Sequence, residues 1–155
     1  MTTSDYTPPT KRVAAGALFL NETGEILLVN PTYKPQWEIP GGLVEENEPP
    51  REGCIREVRE EIGLAIEPHR LLSLDYRPAP RGGHRPDMLR FVFWGGRLTE
   101  EQIAAIRLDT KELSELCCCT LAEAQQRLSP SLGEVVAACL ELLESERTQY
   151  VEFVR

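Results

Sequence analysis

Residues 49–62, PPREGCIREVREEI, leave little choice of local structure. Proline at the head of a helix gives up only an N–H that has no partner there, and its fixed φ suits the first turn. Gly63 follows directly, in the place where helices commonly end in a left-handed residue. The segment reads as a helix over 49–62. Advancing about 100° per residue from Ile55 puts Val58 and Ile62 within roughly 60° of it, as one apolar stripe. Glu57, Glu60 and Glu61 fall at roughly 200°, 140° and 240° on the same count, opposite that stripe. Carboxylates three and four positions apart repel, and pairing of Arg56 with Glu60 offsets part of that cost. The helix alone admits two readings. One is a solvated acidic face. The other is a divalent-metal site, because Mg²⁺ takes hard oxygen ligands, typically a few carboxylates with phosphate and water.

Around this helix the chain mixes strands and helices. Residues 13–20 read as a buried strand, 21–24 as a turn, and 25–30 as the returning strand of a hairpin. Residues 36–39 form a short extended piece stopped by Pro40-Gly41-Gly42. Further strands are expected at 71–76, 87–94 and 116–120, with short helices at 99–106 and 121–128. A second long helix spans 131–145, with Ser131 as its N-cap and Glu134 three positions on. Residues 149–154 make a last strand, able to pair within the chain or with a neighbouring copy. This order indicates an α+β or α/β protein, a mixed β-sheet flanked by helices. No linker or repeat divides it. Residues 1–12 are therefore read as a flexible tail and 13–155 as one domain, long enough for a sizeable core.

Charge and cysteine usage narrow the function classes. A net charge of −8 opposes non-specific binding to nucleic acid or an anionic membrane. It does not oppose a phosphorylated substrate, because a bound divalent cation inverts the local charge. The N-terminus lacks the apolar core of a signal peptide, and no apolar run is long enough to span a bilayer, so a cytoplasmic location is expected. The cysteines at 54, 117, 118, 119 and 139 contain no CxxC and are odd in number, a poor disulfide framework and a poor zinc pattern. They are expected to serve as small hydrophobes.

The flanks of the helix decide between its two readings. Gly42, Glu48, Arg56-Glu57-Val58, Glu60-Glu61 and Gly63-Leu64 stand at fixed spacing, and at every specified position this pattern resembles the signature of the MutT-like Nudix hydrolase family. WEIPGG before the box and NETGEILLV before that are similar as well, so the resemblance extends over residues 13–145. One position departs. Asn47 stands where many members carry glycine, and Asn also tolerates positive φ. The resemblance implies a Nudix-type α/β/α sandwich built on a mixed sheet. It also implies metal-dependent hydrolysis of a pyrophosphate bond in a nucleoside diphosphate derivative, with Mg²⁺ or Mn²⁺ neutralising the pyrophosphate as water attacks phosphorus. By the same resemblance Glu57 and Glu61 are metal ligands, and Glu60 is either a ligand or the water-activating base. The carbonyl of Gly41 or Gly42 completes a coordination shell. Arg56, paired with Glu48, steers the ligands.

Substrate recognition falls to other loops. RPAPRGGHRP, residues 77–86, brings Arg77, Arg81, His84 and Arg85 into an otherwise acidic chain, and arginine suits phosphate. The loop reads either as substrate contact or as a solvated segment. Trp37 is placed either on a base or ribose or in the core. Tyr33, Lys34 and Arg90 are weaker candidates. Glu112 and Glu115 are read as a solvated helix end rather than a further acid. The expected partner is a small nucleotide: ADP-ribose or another nucleotide sugar, or a (deoxy)nucleoside triphosphate, oxidised ones included. A nucleotide-sensing module that binds without cleaving is the alternative, although the signature glutamates are all present. A homodimer is the expected assembly.

Overall fold

The computed structural model describes residues 5–68 and 70–154. Of the expected tail, residues 1–4 lie outside the described residues. In chain order the elements are β1 (Arg12–Leu20), β2 (Ile26–Pro31), β3 (Gly41–Leu43), α1 (Pro50–Ile62), β4 (Leu71–Arg77) and β5 (Met88–Arg97). They continue with α2 (Glu100–Ala104), β6 (Leu113–Cys119), α3 (Leu121–Arg127), α4 (Pro130–Leu142) and β7 (Gln149–Glu152). The strands form one seven-stranded sheet in the order β6-β2-β1-β5-β4-β7, with β3 also on β1. β1 runs parallel to β5 and β4 parallel to β7, and the other pairs are antiparallel, so the sheet is mixed.

Period-two alternation along the central strands feeds two cores. Ala15, Ala17 and Phe19 of β1 pack with Cys54, Val58 and Ile62 of α1 on one face. Leu18 and Leu20 point the other way, into a cluster with Ala124 of α3 and Leu132, Val135, Val136 and Cys139 of α4. The result is an α/β/α sandwich. The cysteines are free and contribute to these cores, and among the described residues no helix is long and apolar enough to cross a membrane.

Three details differ from the reading of the sequence, each for a local reason. First, the β1–β2 hairpin closes on a tight turn, with Asn21 N–H to the Glu25 carbonyl at 2.9 Å, yet the two strands share only the Leu20–Ile26 register. Away from that end a wedge of chain enters between them. Glu38 exchanges both backbone hydrogen bonds with Val29 on one side, while Gly41, Gly42 and Leu43 take the edge of β1 opposite Gly16, Ala15 and Ala14 on the other. Gly41-Gly42 therefore does not merely stop an extended piece but is itself a strand. Second, the second long helix starts earlier than expected. Ser129, not Ser131, is its N-cap, accepting from the Leu132 N–H at 3.4 Å, with Pro130 in the first turn. Prolines favour that position, and a serine just before one is the better cap. Third, β1 begins at Arg12, inside the expected tail.

The Ser131 hydroxyl is buried without a hydrogen-bond partner among the described residues. Ser129→Ala is accordingly expected to cost about 1 kcal/mol of stability through loss of the cap, whereas Ser131→Ala is expected to be neutral or slightly stabilising. Urea unfolding of the two variants checks this, and an equal loss in both would refute the assignment of the cap.

Candidate active site

The acidic end of the site is built where β3 lies between β1 and α1. A Cβ on Gly41 would stand 2.4 Å from the Ala15 carbonyl oxygen, so only glycine lets β3 approach β1 this closely. The freed Gly41 N–H donates to Glu61 Oε2 at 3.1 Å. A Cβ on Gly42 would stand 2.5 Å from the Glu57 carboxyl carbon, so that glycine leaves room for a carboxylate instead of a side chain. α1 ends at Gly63 in the left-handed region, φ 72°.

The three carboxylates do not share one solvated face, contrary to the helical count. The buried side of α1 is centred on Cys54, Val58 and Ile62, while Ile55 is only half-buried. Glu61 lies at the edge of that buried side and is only 7% exposed. Burial pushes its carboxyl up to about 8; the Gly41 N–H opposes this, and the negative charges of Glu57, Glu112 and Glu38 add to it. Glu57 is partly buried, and burial raises its carboxyl while Arg56 pulls the other way. Glu60 is exposed.

Arg56 organises this group. Its Nε donates to Glu48 Oε2 at 2.8 Å and its Nη2 to Glu48 Oε1 at 3.1 Å, a bidentate pair. Nη2 also donates to the Leu43 carbonyl at 3.0 Å, and Nη1 to Glu57 at 3.0 Å and Glu60 at 3.2 Å. The Arg56 guanidinium, with the Glu45 N–H, holds the Glu48 carboxyl below the usual range. Asn47 takes the expected positive φ, 59°, in the turn leading to Glu48. A Cβ on Gly53 would meet Glu48 Oε1 at 2.9 Å, which accounts for glycine there.

With Arg56 on Glu57 and Glu60, no three acidic, histidine or cysteine side chains are gathered as a metal cluster among the described residues. The donor set still fits a hard divalent cation. It is all oxygen, and Glu61 is a buried carboxylate whose only hydrogen bond among the described residues comes from a neutral backbone N–H. A buried charge of that kind is stabilised by a cation placed beside it.

From Glu61 and the two glycines a cleft of about 440 Å³ runs over β1 toward the start of β5 and the end of β4. Arg77 and Arg85 line it. Arg81 and His84 are exposed and lie outside it. Trp37 lies outside it too. Its ring packs on the α3–α4 core with the Arg127 guanidinium 4.9 Å from its centroid, which is the core placement of the two the sequence allowed. Tyr33, Lys34 and Arg90 join the lining. Sequence reasoning missed Arg12 and Glu38, which also line the cleft. Arg12 sat in the expected tail, and Glu38, within WEIPGG and paired with Lys34, was given no role. Glu112 is exposed, and Glu115 accepts from Asn30 at 3.2 Å.

A NUDIX domain profile matches residues 10–139. The chain belongs to the Nudix family of pyrophosphohydrolases. Among Nudix relatives, a MutT-like protein of Streptomyces ambofaciens is 34% identical over 114 residues, 70% of this chain and 70% of its own length. The 8-oxo-dGDP phosphatase NUDT18 of Homo sapiens is 39% identical over 80 residues, which is 50% of this chain but only 23% of that protein. Of solved structures, a MutT protein from Methanosarcina mazei Go1 has a TM-score of 0.72 at 22% identity, over 90% of this chain and 100% of that one. A UDP-X diphosphatase has a TM-score of 0.71 at 20% identity, over 96% and 70%. These likenesses establish the Nudix fold.

The raised Glu61 carboxyl has a consequence for the metal-free chain. Its ordinary value is 4.5 and its folded value about 8, so between them the folded state holds a proton that the unfolded state has lost. Stability then falls as pH rises from about 4.5 to about 8. Glu61→Gln removes that loss. Its Tm is expected to match wild type at pH 5 and exceed it at pH 8, by a free energy on the order of 3 kcal/mol. Calorimetry in chelator checks this, and coincident Tm values at pH 8 would contradict a buried carboxylate with no cation beside it.

Proposed function

We propose that the chain hydrolyses a pyrophosphate bond in a nucleoside diphosphate derivative with the help of Mg²⁺ or Mn²⁺. The observation that carries this reading is the pair Glu57 and Glu61, set against the Gly42 and Gly41 backbone at one end of the cleft, with Glu61 buried and lacking a cationic partner among the described residues. Glu57 and Glu61 hold the cation, with the carbonyl of Gly41 or Gly42. Bound there, it neutralises charge on the pyrophosphate oxygens and lowers the barrier to attack by water. The protein's own work is mostly positioning. Arg56 keeps Glu57 aimed and anchors Glu48, fixing α1 to the loop before it. Glu60, exposed and held through a single Arg56 contact, is the carboxylate free to turn and take a proton from the attacking water. Arg77 and Arg85 meet the substrate at the other end of the cleft.

Candidate substrates are ADP-ribose or another nucleotide sugar, and (deoxy)nucleoside triphosphates, oxidised ones included. Relatives named as an 8-oxo-dGDP phosphatase, a putative ADP-ribose pyrophosphatase and an 8-oxo-dGTP diphosphatase span this range. A panel of such compounds with Mg²⁺ or Mn²⁺, read as phosphate release after phosphatase treatment, tests the proposal. Turnover that disappears in chelator is expected. Tight binding of one compound with turnover of none would replace the hydrolase by a nucleotide sensor.

Glu57→Gln and Glu61→Gln are each expected to lower turnover at least about a hundredfold while the chain stays folded, the scale of lost electrostatic stabilisation of a transition state. Gly42→Ala is a second probe of the same geometry. Its methyl displaces the Glu57 carboxylate without removing it, so a loss smaller than that of Glu57→Gln is expected. Near-normal rates in the glutamine variants, measured alongside circular dichroism, would discard these assignments.

A further inference from the structure

The cleft is cationic at the end remote from Glu61. Its lining carries five cationic side chains against Glu38 and Glu61, in a chain whose net charge is −8. Glu38 is neutralised by Lys34, and Arg90 by Asp75 through two buried bonds of 2.9 and 3.0 Å. That leaves Arg12, Arg77 and Arg85 at one end. Sheet register explains why they meet there. Met88 at the start of β5 pairs with Arg12 of β1 on one side and Arg77 of β4 on the other. Residues directly opposite share a face, so both arginines stand on the cleft floor, and Arg85 comes from the loop above.

None of the three makes a salt bridge with the described residues. Arg12 donates through Nε to the Pro86 carbonyl at 3.0 Å, a neutral acceptor. Arg77 is partly buried, and neither a hydrogen bond nor a salt bridge ties its guanidinium to the described residues. Burial and the neighbouring Arg90 press its guanidinium below its ordinary value, while Asp75 and Glu38, neither in salt-bridge contact with it, pull the other way. Distance separates these arginines from the acidic end. Gly16 pairs with Gly41, which touches Glu61, and Arg12 lies four residues earlier on β1, about 13 Å along the strand. Between them the floor is Ala14 and Gly16, too small to divide the cleft.

We infer that Arg12, Arg77 and Arg85 form a subsite for a second anionic group of the substrate, a phosphate or carboxylate outside the scissile pyrophosphate. The substrate class is then a nucleoside diphosphate derivative charged at both ends, such as a nucleotide linked to a sugar acid or bearing an extra ribose phosphate. The inference rests on the proposed hydrolase reading, because it takes the acidic end as the seat of the pyrophosphate.

The test is equilibrium binding to the full chain without metal, using pairs that differ in one anionic group. UDP-glucuronate is compared with UDP-glucose, and adenosine 2′,5′- and 3′,5′-bisphosphate with 5′-AMP. A charge-assisted contact corresponds to about tenfold in affinity. At least one charged member is expected to bind about tenfold or more tightly than its counterpart. That ratio should fall below about threefold in Arg77→Gln and recover in part in Arg77→Lys. Should Arg77→Gln fail to fold, Arg85→Gln on the exposed loop is held to the same criterion. Ratios under tenfold in every pair, or a ratio that survives in the folded glutamine variant, overturn the subsite. Metal-dependent turnover of the panel judges the hydrolase separately, so either reading can fail while the other stands.

Discussion

Arg56 joins three parts of the chain through one planar group. Its fork grips Glu48 from the loop before α1, the Leu43 carbonyl from β3, and Glu57 and Glu60 from its own helix. Without a cation in that position, the glutamates would repel one another within two helical turns. A lysine could not replace it, since a point charge cannot satisfy a carboxylate bidentately and still reach two further oxygens. Beside the cleft stands a set of like charges kept together by one guanidinium, with Glu61, which lines the cleft, outside its reach.

The second constraint is the wedge of chain from Glu38 to Leu43. By taking the edge of β1 it brings the Gly41 N–H to Glu61, and by separating β1 from β2 it opens the space that becomes the cleft. Strand pairing thus serves both purposes. The backbone of β3 is part of the sheet on one side and part of the site on the other. Glycine is required on both counts, because at Gly41 a side chain would collide with β1 and at Gly42 with Glu57.

Much of this was legible in the sequence because it is local. The bounds of α1 follow from Pro49, Pro50 and Gly63, and the alternation in β1 follows from its apolar run. The Arg56–Glu48 pair followed from motif resemblance, and Asn47 from its tolerance of positive φ. What was not legible depends on partners distant in sequence. The rotation of α1 that buries Glu61 is set by packing on Ala15, Ala17 and Phe19, which a helical count centred on Ile55 cannot know. Trp37 went to Arg127, ninety residues away in the chain, and not to the cleft. Arg12 looked like tail because its role comes from register with Met88. Within the loop at 77–86, composition could not separate Arg77 and Arg85 from the outward Arg81 and His84.

The single shared register of β1 and β2 has a mechanical meaning. A sheet resists spreading through its ladder of backbone bonds, and here that ladder is interrupted beside the cleft. The pair β2–β6 keeps one register from Ile26 to Asn30 and shifts at Pro31, and it is attached to the central strands at Leu20–Ile26 and through the Glu38 contacts. The gap between that pair and the central strands is then governed by side-chain packing of Ile26, Leu28 and Ile39 rather than by backbone geometry. The width of the cleft therefore rests on side-chain packing, whereas the Glu48, Glu57 and Glu60 carboxylates are held by Arg56.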